Sequence, residues 1–352
     1  MKKYWLLPLS WLYGAIISVR NALYDFGVLR SYDFDLAIVK IGNLSVGGTG
    51  KTPHTELVAA MLAEAFPSVA ILSRGYKRRT KGFRLATEAD NADSLGDEPY
   101  QMHLKLPGVQ VAVCEDRKTG IEKLLQNNGF LSAVVLDDAY QHRKVKAGLN
   151  ILLSDYNEPF FEDFLLPAGR LREQRSAFRR ADLIIFTKAP ARVNVYDKKY
   201  VYTKVGAAAH QQVIFSHIRY GEAVFLEAFD EQPLSKKMQV LLVTGIANAQ
   251  PLTDMLDQKG ISFMHMNFAD HQRYKDRQLK RIKAAFEELP GDNKVVITTE
   301  KDFVKLREHA GWFEEQQIPL AYLPIEIGFD EHDRAIFIDK IEEYVKQYQR
   351  NR

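Results

Sequence analysis

The chain has 352 residues, 46% of them hydrophobic and 26% charged, with a formal net charge of +3. This suits two domains or one large one with sizeable cores, excludes a disordered tail, and argues against a dedicated nucleic-acid binder. The single cysteine, Cys114, excludes an internal disulfide framework and a cysteine-rich zinc site, and its setting in "VQVAVCED" reads as a buried core thiol.

The first thirty residues are "MKKYWLLPLSWLYGAIISVRNALYDFGVLR". No charge falls from Tyr4 to Ile17, but that run is too short to span a bilayer, and Pro8 and Gly14 interrupt it. Lys2 and Lys3 before an apolar stretch imitate a signal peptide, yet no A-x-A-like cleavage site follows. Leu9, Leu12, Tyr13, Ile16, Val19 and Leu23 recur at helical spacing. Two readings of residues 1–30 stand. One is a helix packed on the protein's own core. The other is an interfacial helix, with Trp5, Trp11 and Tyr13 at headgroup level and Lys2, Lys3, Arg20 and Arg30 near anionic lipid.

Residues 31–190 read as an α/β domain. Short apolar runs at 36–42, 69–73, 109–114, 133–137, 151–154 and 183–187 alternate with helical patterns such as 55–66 and 119–127. That alternation predicts a parallel sheet with helices on both faces. The first strand runs into "NLSVGGTGKTP", close to the phosphate-loop pattern G-x-x-x-x-G-K-[ST] but with Ser45 at the first glycine. That position needs a small residue that tolerates the turn, and serine suffices. Gly47, Gly48 and Gly50 let backbone N–H groups curl around phosphate oxygens, and the following helix adds its positive N-terminal end. Ser45, Val46, Gly47, Gly48, Thr49, Gly50, Lys51 and Thr52 are therefore expected to hold a nucleoside triphosphate. Lys51 reaches the outer phosphates in this reading, and the Thr52 hydroxyl holds Mg²⁺.

Further along, "SRGYKRR" places a basic cluster at a strand end, and residues 75–99 form a long polar excursion. Asp97, two residues before Pro99 in "SLGDEPY", reads either as a helix cap or as a carboxylate near an acceptor hydroxyl. The strand in "SAVVLDDAYQH" ends in Asp137 and Asp138, which resembles a Mg²⁺-supporting strand end; a turn or helix cap is the plainer alternative. Adjacent strand residues face opposite ways, so only one of the two is expected to face an ion. "LPAGRLREQRSAFRR" carries Arg170, Arg172, Arg175, Arg179 and Arg180, either a solvated amphipathic helix or a site for anionic groups.

Residues 191–237 contain extended runs and no clean helix, and are read as a connection. Residues 238–352 read as a smaller α/β domain containing "FADHQRY", with Asp270 and His271 after a strand. Ligands of such folds bind at the carboxyl ends of strands, so a cleft between the two domains is the expected site.

The motifs "GNLSVGGTGKTP", "SRGY", "GDEP", "LDDAYQHR", "LLPAGRLRE", "ADLIIFTK", "VTGIANAQPL", "FADHQRY" and "TTEKDFVKL" occur in this order. Together they resemble the tetraacyldisaccharide 4′-kinase family of lipid A biosynthesis, from the apolar start almost to the end of the chain. The resemblance implies a fold like that of phosphate-loop NTPases with a second, smaller α/β domain. It implies transfer of the γ-phosphate of ATP, with Mg²⁺, to the 4′-hydroxyl of an acylated glucosamine disaccharide 1-phosphate, giving lipid IV-A. Asp97 then matches the catalytic carboxylate and His271 its partner. Lys51 and Arg172 match the cations near the phosphates, and Asp137 or Asp138 with Glu173 the acidic group around the metal. The N-terminal helix becomes a membrane-surface anchor at the cytoplasmic face of the bacterial inner membrane. No nucleic acid and no obligate protein partner are implied.

Two positions depart from the family pattern. Ala139 replaces a glycine after the Asp pair and leaves the local turn in question, and Gln174 replaces a proline. A nucleotide-dependent switch or metallochaperone is the competing class. Guanine recognition through N-K-x-D is missing, since Thr187, Lys188, Ala189 and Pro190 stand there, and no Cys/His bundle for metal loading is present.

Overall fold

The computed structural model describes residues 4–246, 248–270 and 272–350. A 3-10 turn (Tyr4–Leu6) leads into α1 (Leu7–Asp25), followed by β1 (Ala37–Asn43), α2 (Lys51–Ala65), β2 (Val69–Ser73) and β3 (Arg84–Leu85). Next come α3 (Ala92–Leu95), α4 (Asp97–Lys105), β4 (Gln110–Val113), α5 (Arg117–Asn127), β5 (Ala133–Leu136), β6 (Leu149–Asp155) and β7 (Leu183–Thr187). Then follow α6 (Val195–Val205), β8 (Gln212–Tyr220), β9 (Val224–Phe225), β10 (Gln239–Thr244), α7 (Gln250–Lys259), β11 (Ser262–Asn267) and α8 (Asp276–Glu288). The chain closes with β12 (Lys294–Thr299), α9 (Glu300–Leu306), α10 (Ala310–Glu315), β13 (Leu320–Leu323), β14 (Ile325–Phe329) and α11 (Glu331–Arg350).

The chain forms two compact units. Unit 1 is Met1–Asp90, Met102–Ile218 and Ile327–Arg352; unit 2 is Asn91–Gln101 and Arg219–Glu326. The sheet of unit 1 runs β14-β8-β7-β6-β1-β5-β2-β4-β3. Its interior pairs are parallel, and β3 lies antiparallel to β4. β1 is buried throughout. Its Ala37, Val39 and Ile41 pack with Val58 and Leu62 of α2 and with Phe337 and Ile341 of α11, whereas Ile38 packs with Ile121 and Leu124 of α5. Burial on both faces is why these strands read as continuous apolar runs rather than alternating ones. Cys114 is buried, as its apolar setting predicts.

Unit 2 has a five-stranded sheet, β11-β10-β12-β13-β9, parallel except for β9. Leu241 and Val243 of β10 pack with Leu279 and Ile282 of α8, and Val240 and Leu242 pack with Leu252 and Leu256 of α7. Both units are α/β, as expected, but the chain divides differently from the sequence reading. Residues 327–352 belong to unit 1, because Phe337, Ile341 and Val345 of α11 complete its core. Residues 91–101, with Asp97, belong to unit 2.

The 191–237 stretch also differs from the expected extended connection. "KKYVYTKV" lies in α6, capped by the Asn194 side chain, which accepts from the Asp197 N–H, and closed by Gly206 in the left-handed region. Val201 and Val205 are buried against Phe215, so packing overrides the β-favouring side chains. β8 then adds a parallel strand beside β7.

α1 turns its polar side inward. Ser10 and Gly14 are its buried residues. Ser10 Oγ donates to Leu165 O (2.9 Å), Tyr13 Oη to Arg172 O (2.9 Å) and Asn21 Nδ2 to Glu173 Oε2 (3.3 Å). Trp5, Leu9, Trp11, Leu12, Ile16 and Val19 are all more than half exposed. The reading as a core helix therefore fails for the apolar stripe. The helical stretch Tyr4–Asp25 is also longer than its charge-free run: 22 residues, containing an 18-residue window of mean hydropathy 1.2, enough by length and composition alone to cross a membrane.

Candidate functional site

β1 delivers Asn43 to the start of the phosphate loop, and α2 begins at Lys51. Gly47 takes φ 118°, and a Cβ on Gly47 or Gly48 would meet no atom within 4 Å, so both border an open cradle. Gly50, at φ 75°, caps α2. Three side chains frame the loop. Asn43 Nδ2 donates to Thr49 Oγ1 (2.8 Å), Thr187 Oγ1 donates to Thr49 O (3.0 Å), and His54 Nδ1 bonds Gly50 O (2.7 Å). Ser45 pairs with Leu171 in an antiparallel bridge, Val46 N donates to Arg170 O (2.8 Å) and Arg172 N to Leu44 O (2.7 Å). The "PAGRLRE" segment therefore runs alongside the loop. Ser45, Val46, Gly47, Gly48 and Thr49 line an open hollow together with Asp155, Glu158, Arg170 and Lys188.

Asp138 gathers the charges. It accepts both Arg172 guanidinium nitrogens (Nη2 at 2.8 Å, Nη1 at 3.3 Å), and Lys51 Nζ lies 4.0 Å from its Oδ1. Burial pushes its carboxyl up, but Lys51 and Arg172 outweigh that and hold it below the usual range. Arg172 also bonds Asn43 Oδ1. Asp137 points the other way. It is 2% exposed and accepts from Ser73 Oγ (2.8 Å) and Thr55 Oγ1 (3.2 Å). Burial, and then Asp138 beside it, push its carboxyl up. Of the two aspartates, Asp138 faces the phosphate-loop lysine, and Asp137 ties the ends of β2 and β5 to α2.

The turn that presents Asp138 depends on Gly42, whose missing side chain leaves room for Tyr140: a Cβ there would lie 2.8 Å from Tyr140 N and Cβ. Asp138 itself takes the positive φ of 43°, a conformation aspartate tolerates better than most residues. Ala139 is therefore accommodated, fully buried, where the family pattern has glycine. Gln174 sits at φ −59°, a value proline also adopts, and its Nε2 donates to Ser18 Oγ of α1 (2.6 Å).

Glu173 is buried and ion-paired to Arg180 (2.7 Å). Its other carboxylate contact is Asn21 Nδ2 of α1 (3.3 Å). Among the described residues, no group of three or more Asp, Glu, His or Cys side chains is placed to hold a metal. The five arginines do not form a solvated helix. Arg175 to Arg180 make a 3-10 helix, Arg170 pairs with Asp163 and Glu158, and Arg175 donates to Asp163 O.

Unit 2 carries the other expected site residue. Asp97 opens α4, and its Oδ2 lies 3.5 Å from Lys305 Nζ. His271 lies outside the described residues. The preceding Asp270 pairs with Lys301 (3.4 Å). Asp97 thus shares a unit with the described part of the "FADH" motif, and the expectation that Asp97 and the second α/β block belong to separate domains is corrected.

His54 carried no separate signal in the sequence. It is 1% exposed, with Nε2 3.0 Å from Ser216 Oγ, and burial lowers its pKa to about 4. Gly50 O can only accept, so Nδ1 carries the proton and Nε2 accepts from Ser216. The unfolded chain takes up this proton below about pH 6.5, and the folded chain does so only near 4. The resulting stability is complete above pH 6.5 and lost as pH falls to 4, about 3 kcal/mol in all. Urea unfolding of the parent protein and His54→Gln across this range should show the variant losing correspondingly less. Equal losses would remove His54 as the cause.

The family model described as Tetraacyldisaccharide-1-P 4′-kinase (LpxK) matches residues 2–344. A tetraacyldisaccharide 4′-kinase of Bacteroides thetaiotaomicron is 44% identical over 359 aligned positions, covering 99% of this chain and 94% of that protein. The enzyme of that name from Flavobacterium johnsoniae is 40% identical, covering 97% of each. A crystal structure of LpxK from Aquifex aeolicus, described as the "apo" form in complex with ATP, matches at a TM-score of 0.75 and 30% identity, covering 98% of this chain and 99% of that one. With sequence and fold agreeing along nearly the whole length, the chain belongs to the tetraacyldisaccharide-1-P 4′-kinase family.

Proposed function

We propose that this protein transfers the γ-phosphate of ATP to the 4′-hydroxyl of an acylated glucosamine disaccharide 1-phosphate, forming lipid IV-A in lipid A biosynthesis. The observation that carries the reading is Asp138, gripped by Lys51 and Arg172 at the end of a phosphate loop, in a chain of this family. Ser45 to Thr52 form the cradle for the triphosphate: Ser45 and Val46, tied to Leu171 and Arg170, set its start, the N–H groups from Gly47 onward face the phosphates, and Lys51 and Arg172 stabilise charge on the moving phosphoryl group. Asp97 accepts the acceptor's proton, with His271 as its partner.

Mg²⁺ fits the residues present. The cradle is open at Gly47 and Gly48, and Lys51, the residue before Thr52, lies 4.0 Å from the partly exposed Asp138. Mg²⁺ is commonly bound by one or two carboxylates plus substrate phosphates and water rather than by an all-protein cage. Thr52 and Asp138 would hold it; Asp137 stands beside Asp138 and is taken up by Ser73 and Thr55, and Glu173 is taken up by Arg180 and Asn21. Bound there, the ion neutralises phosphate charge. ATP consumption should rise when detergent-dispersed disaccharide 1-phosphate is added, and GTP or DNA should not substitute. ATP turnover indifferent to the disaccharide would refute this function.

The exposed apolar stripe of α1 supports membrane-surface attachment at the cytoplasmic face, where ATP is available. A helix docked on its own protein through Ser10, Tyr13 and Asn21 lies along the interface rather than crossing it. Each apolar side chain withdrawn from the interface is worth about 1.5–3 kcal/mol. Leu12→Glu with Ile16→Glu should therefore cut partitioning onto anionic vesicles by on the order of 100-fold or more, with melting unchanged. Undiminished flotation of that variant with vesicles would refute attachment through this stripe. Deleting residues 1–30 is a poorer test, because it also removes the contacts of Tyr13 and Asn21 with Arg172 and Glu173.

A further inference from the structure

α9 of unit 2 begins at Glu300, with Thr299 as its cap, and its first turns carry more charge than a buried helix needs. Glu300, Asp302 and Lys305 are all buried, Asp302 completely. Asp302 is fixed by three hydrogen bonds to two partners. Its Oδ2 accepts from Gly245 N (2.8 Å) and Thr299 Oγ1 (2.8 Å), and its own N–H donates to Thr299 Oγ1 (3.1 Å). Gly245 is held close: a Cβ there would come within 2.9 Å of Asp302 Oδ1.

That Oδ1 faces Lys305 Nζ at 3.3 Å, one turn further along the helix. The ammonium also lies 5.9 Å from the ring centroid of Tyr274, itself buried. A lysine needing only burial would be neutralised by Asp302 alone. Lys305 instead reaches a second carboxylate, Asp97 at 3.5 Å, from a segment about two hundred residues earlier in the chain. The two acids differ in exposure: the Asp302 side chain is 0% exposed and that of Asp97 17%. The lysine thus links a rigid internal anchor to an acid that opens to solvent. Four residues earlier on α9, Lys301 pairs with Asp270 of the "FADH" motif, so one helical face serves both motifs.

We propose that Lys305, anchored by Asp302, is a positioning residue that holds the Asp97 carboxylate in the orientation proton transfer requires. This rests on the reading of Asp97 as the acceptor's base. In that step the acceptor oxygen bonds to the γ-phosphorus as the bond from that phosphorus to the β–γ bridging oxygen breaks. ADP leaves with the electron pair, and the hydroxyl proton passes to Asp97. A carboxylate free to rotate about its side-chain bonds spends little time in line with that proton, and small misplacements of catalytic groups are costly.

The test compares steady-state kinetics of the full-length Lys305→Met, Lys305→Arg and Asp97→Asn enzymes and the double variant Asp97→Asn/Lys305→Met. Lys305→Met should lower kcat by on the order of 100-fold with KM for ATP unchanged. Lys305→Arg should restore most of the loss. In the Asp97→Asn background, Lys305→Met should cost nothing further. If Lys305→Met fails to fold because Asp302 is left buried and unpaired, Asp302→Asn/Lys305→Met removes both buried charges and should show the same fall in kcat. Normal kcat in a folded Lys305→Met or Asp302→Asn/Lys305→Met enzyme overturns the proposal, as does a Lys305 loss that multiplies with that of Asp97→Asn. Full turnover by Asp97→Asn overturns the base assignment itself, and the positioning role with it. An inactive Asp97→Asn beside an unimpaired Lys305→Met overturns the positioning role alone.

Discussion

Lys51→Ala is expected to lower kcat by about 100- to 1,000-fold, roughly 3–4 kcal/mol of transition-state stabilisation. Lys51 opens α2, where the helix end and the loop N–H groups already favour phosphate, and it adds a mobile positive charge to that fixed field. The ammonium lies 4.0 Å from Asp138 Oδ1, and Arg172 holds the same carboxylate through two nitrogens. Losing Lys51 therefore leaves Asp138 with Arg172 and does not strand a buried charge. The fold should survive, because His54 to Gly50 and Asn43 to Thr49 keep the loop in place. Single-turnover rates and thermal melting on the same preparation separate the two effects. A folded variant with undiminished chemistry would remove Lys51 from the nucleotide site.

The pieces most legible in the sequence were those with a local cause. Val69–Ser73 and Leu183–Thr187 appear as read, because short β-branched and apolar runs between helical patterns have few other ways to bury themselves. The glycine loop between β1 and α2 was legible because glycines followed by Lys51 and Thr52 at fixed spacing mark a strand-to-helix turn. Long-range partners were not legible. The 191–237 stretch was misread because Val201 and Val205 favour strands until packing with Phe215 decides otherwise. The different surroundings of Asp137 and Asp138 were not legible, because Ser73 and Thr55, from two other elements, engage the first. α1 was ambiguous because helical spacing marks an apolar face without saying what covers it. The docked stripe is the polar one, Ser10, Tyr13 and Asn21, whose partners lie some 150 residues away. Asn43 had the same difficulty: nothing in "GNLS" reveals that it receives Arg172.

Asp97→Asn and His271→Ala should each lower kcat by about 100- to 10,000-fold, the usual range for general acid–base groups, and leave KM for ATP little changed. The double variant should be scarcely worse than the worse single one, because residues that act as a unit are strongly non-additive. Independent roles would give losses that multiply. The structure changes how such a unit is assembled. Asp97 belongs with residues 219–326 in unit 2, and α9 holds both the Asp97 carboxylate through Lys305 and Asp270 through Lys301. Movement of one unit against the other is therefore not needed to bring the "GDEP" and "FADH" motifs into one body. The rival account makes Asp97 a first-turn acid that only favours α4, preceded by Gly96 at φ 95°. Losing such an interaction costs about 0.5–2 kcal/mol of stability and spares chemistry. Unfolding curves and single-turnover rates on the parent, both single variants and the double variant decide between them. If Asp97→Asn turns over normally and merely melts earlier, Asp97 is a helix-stabilising residue and the base lies elsewhere.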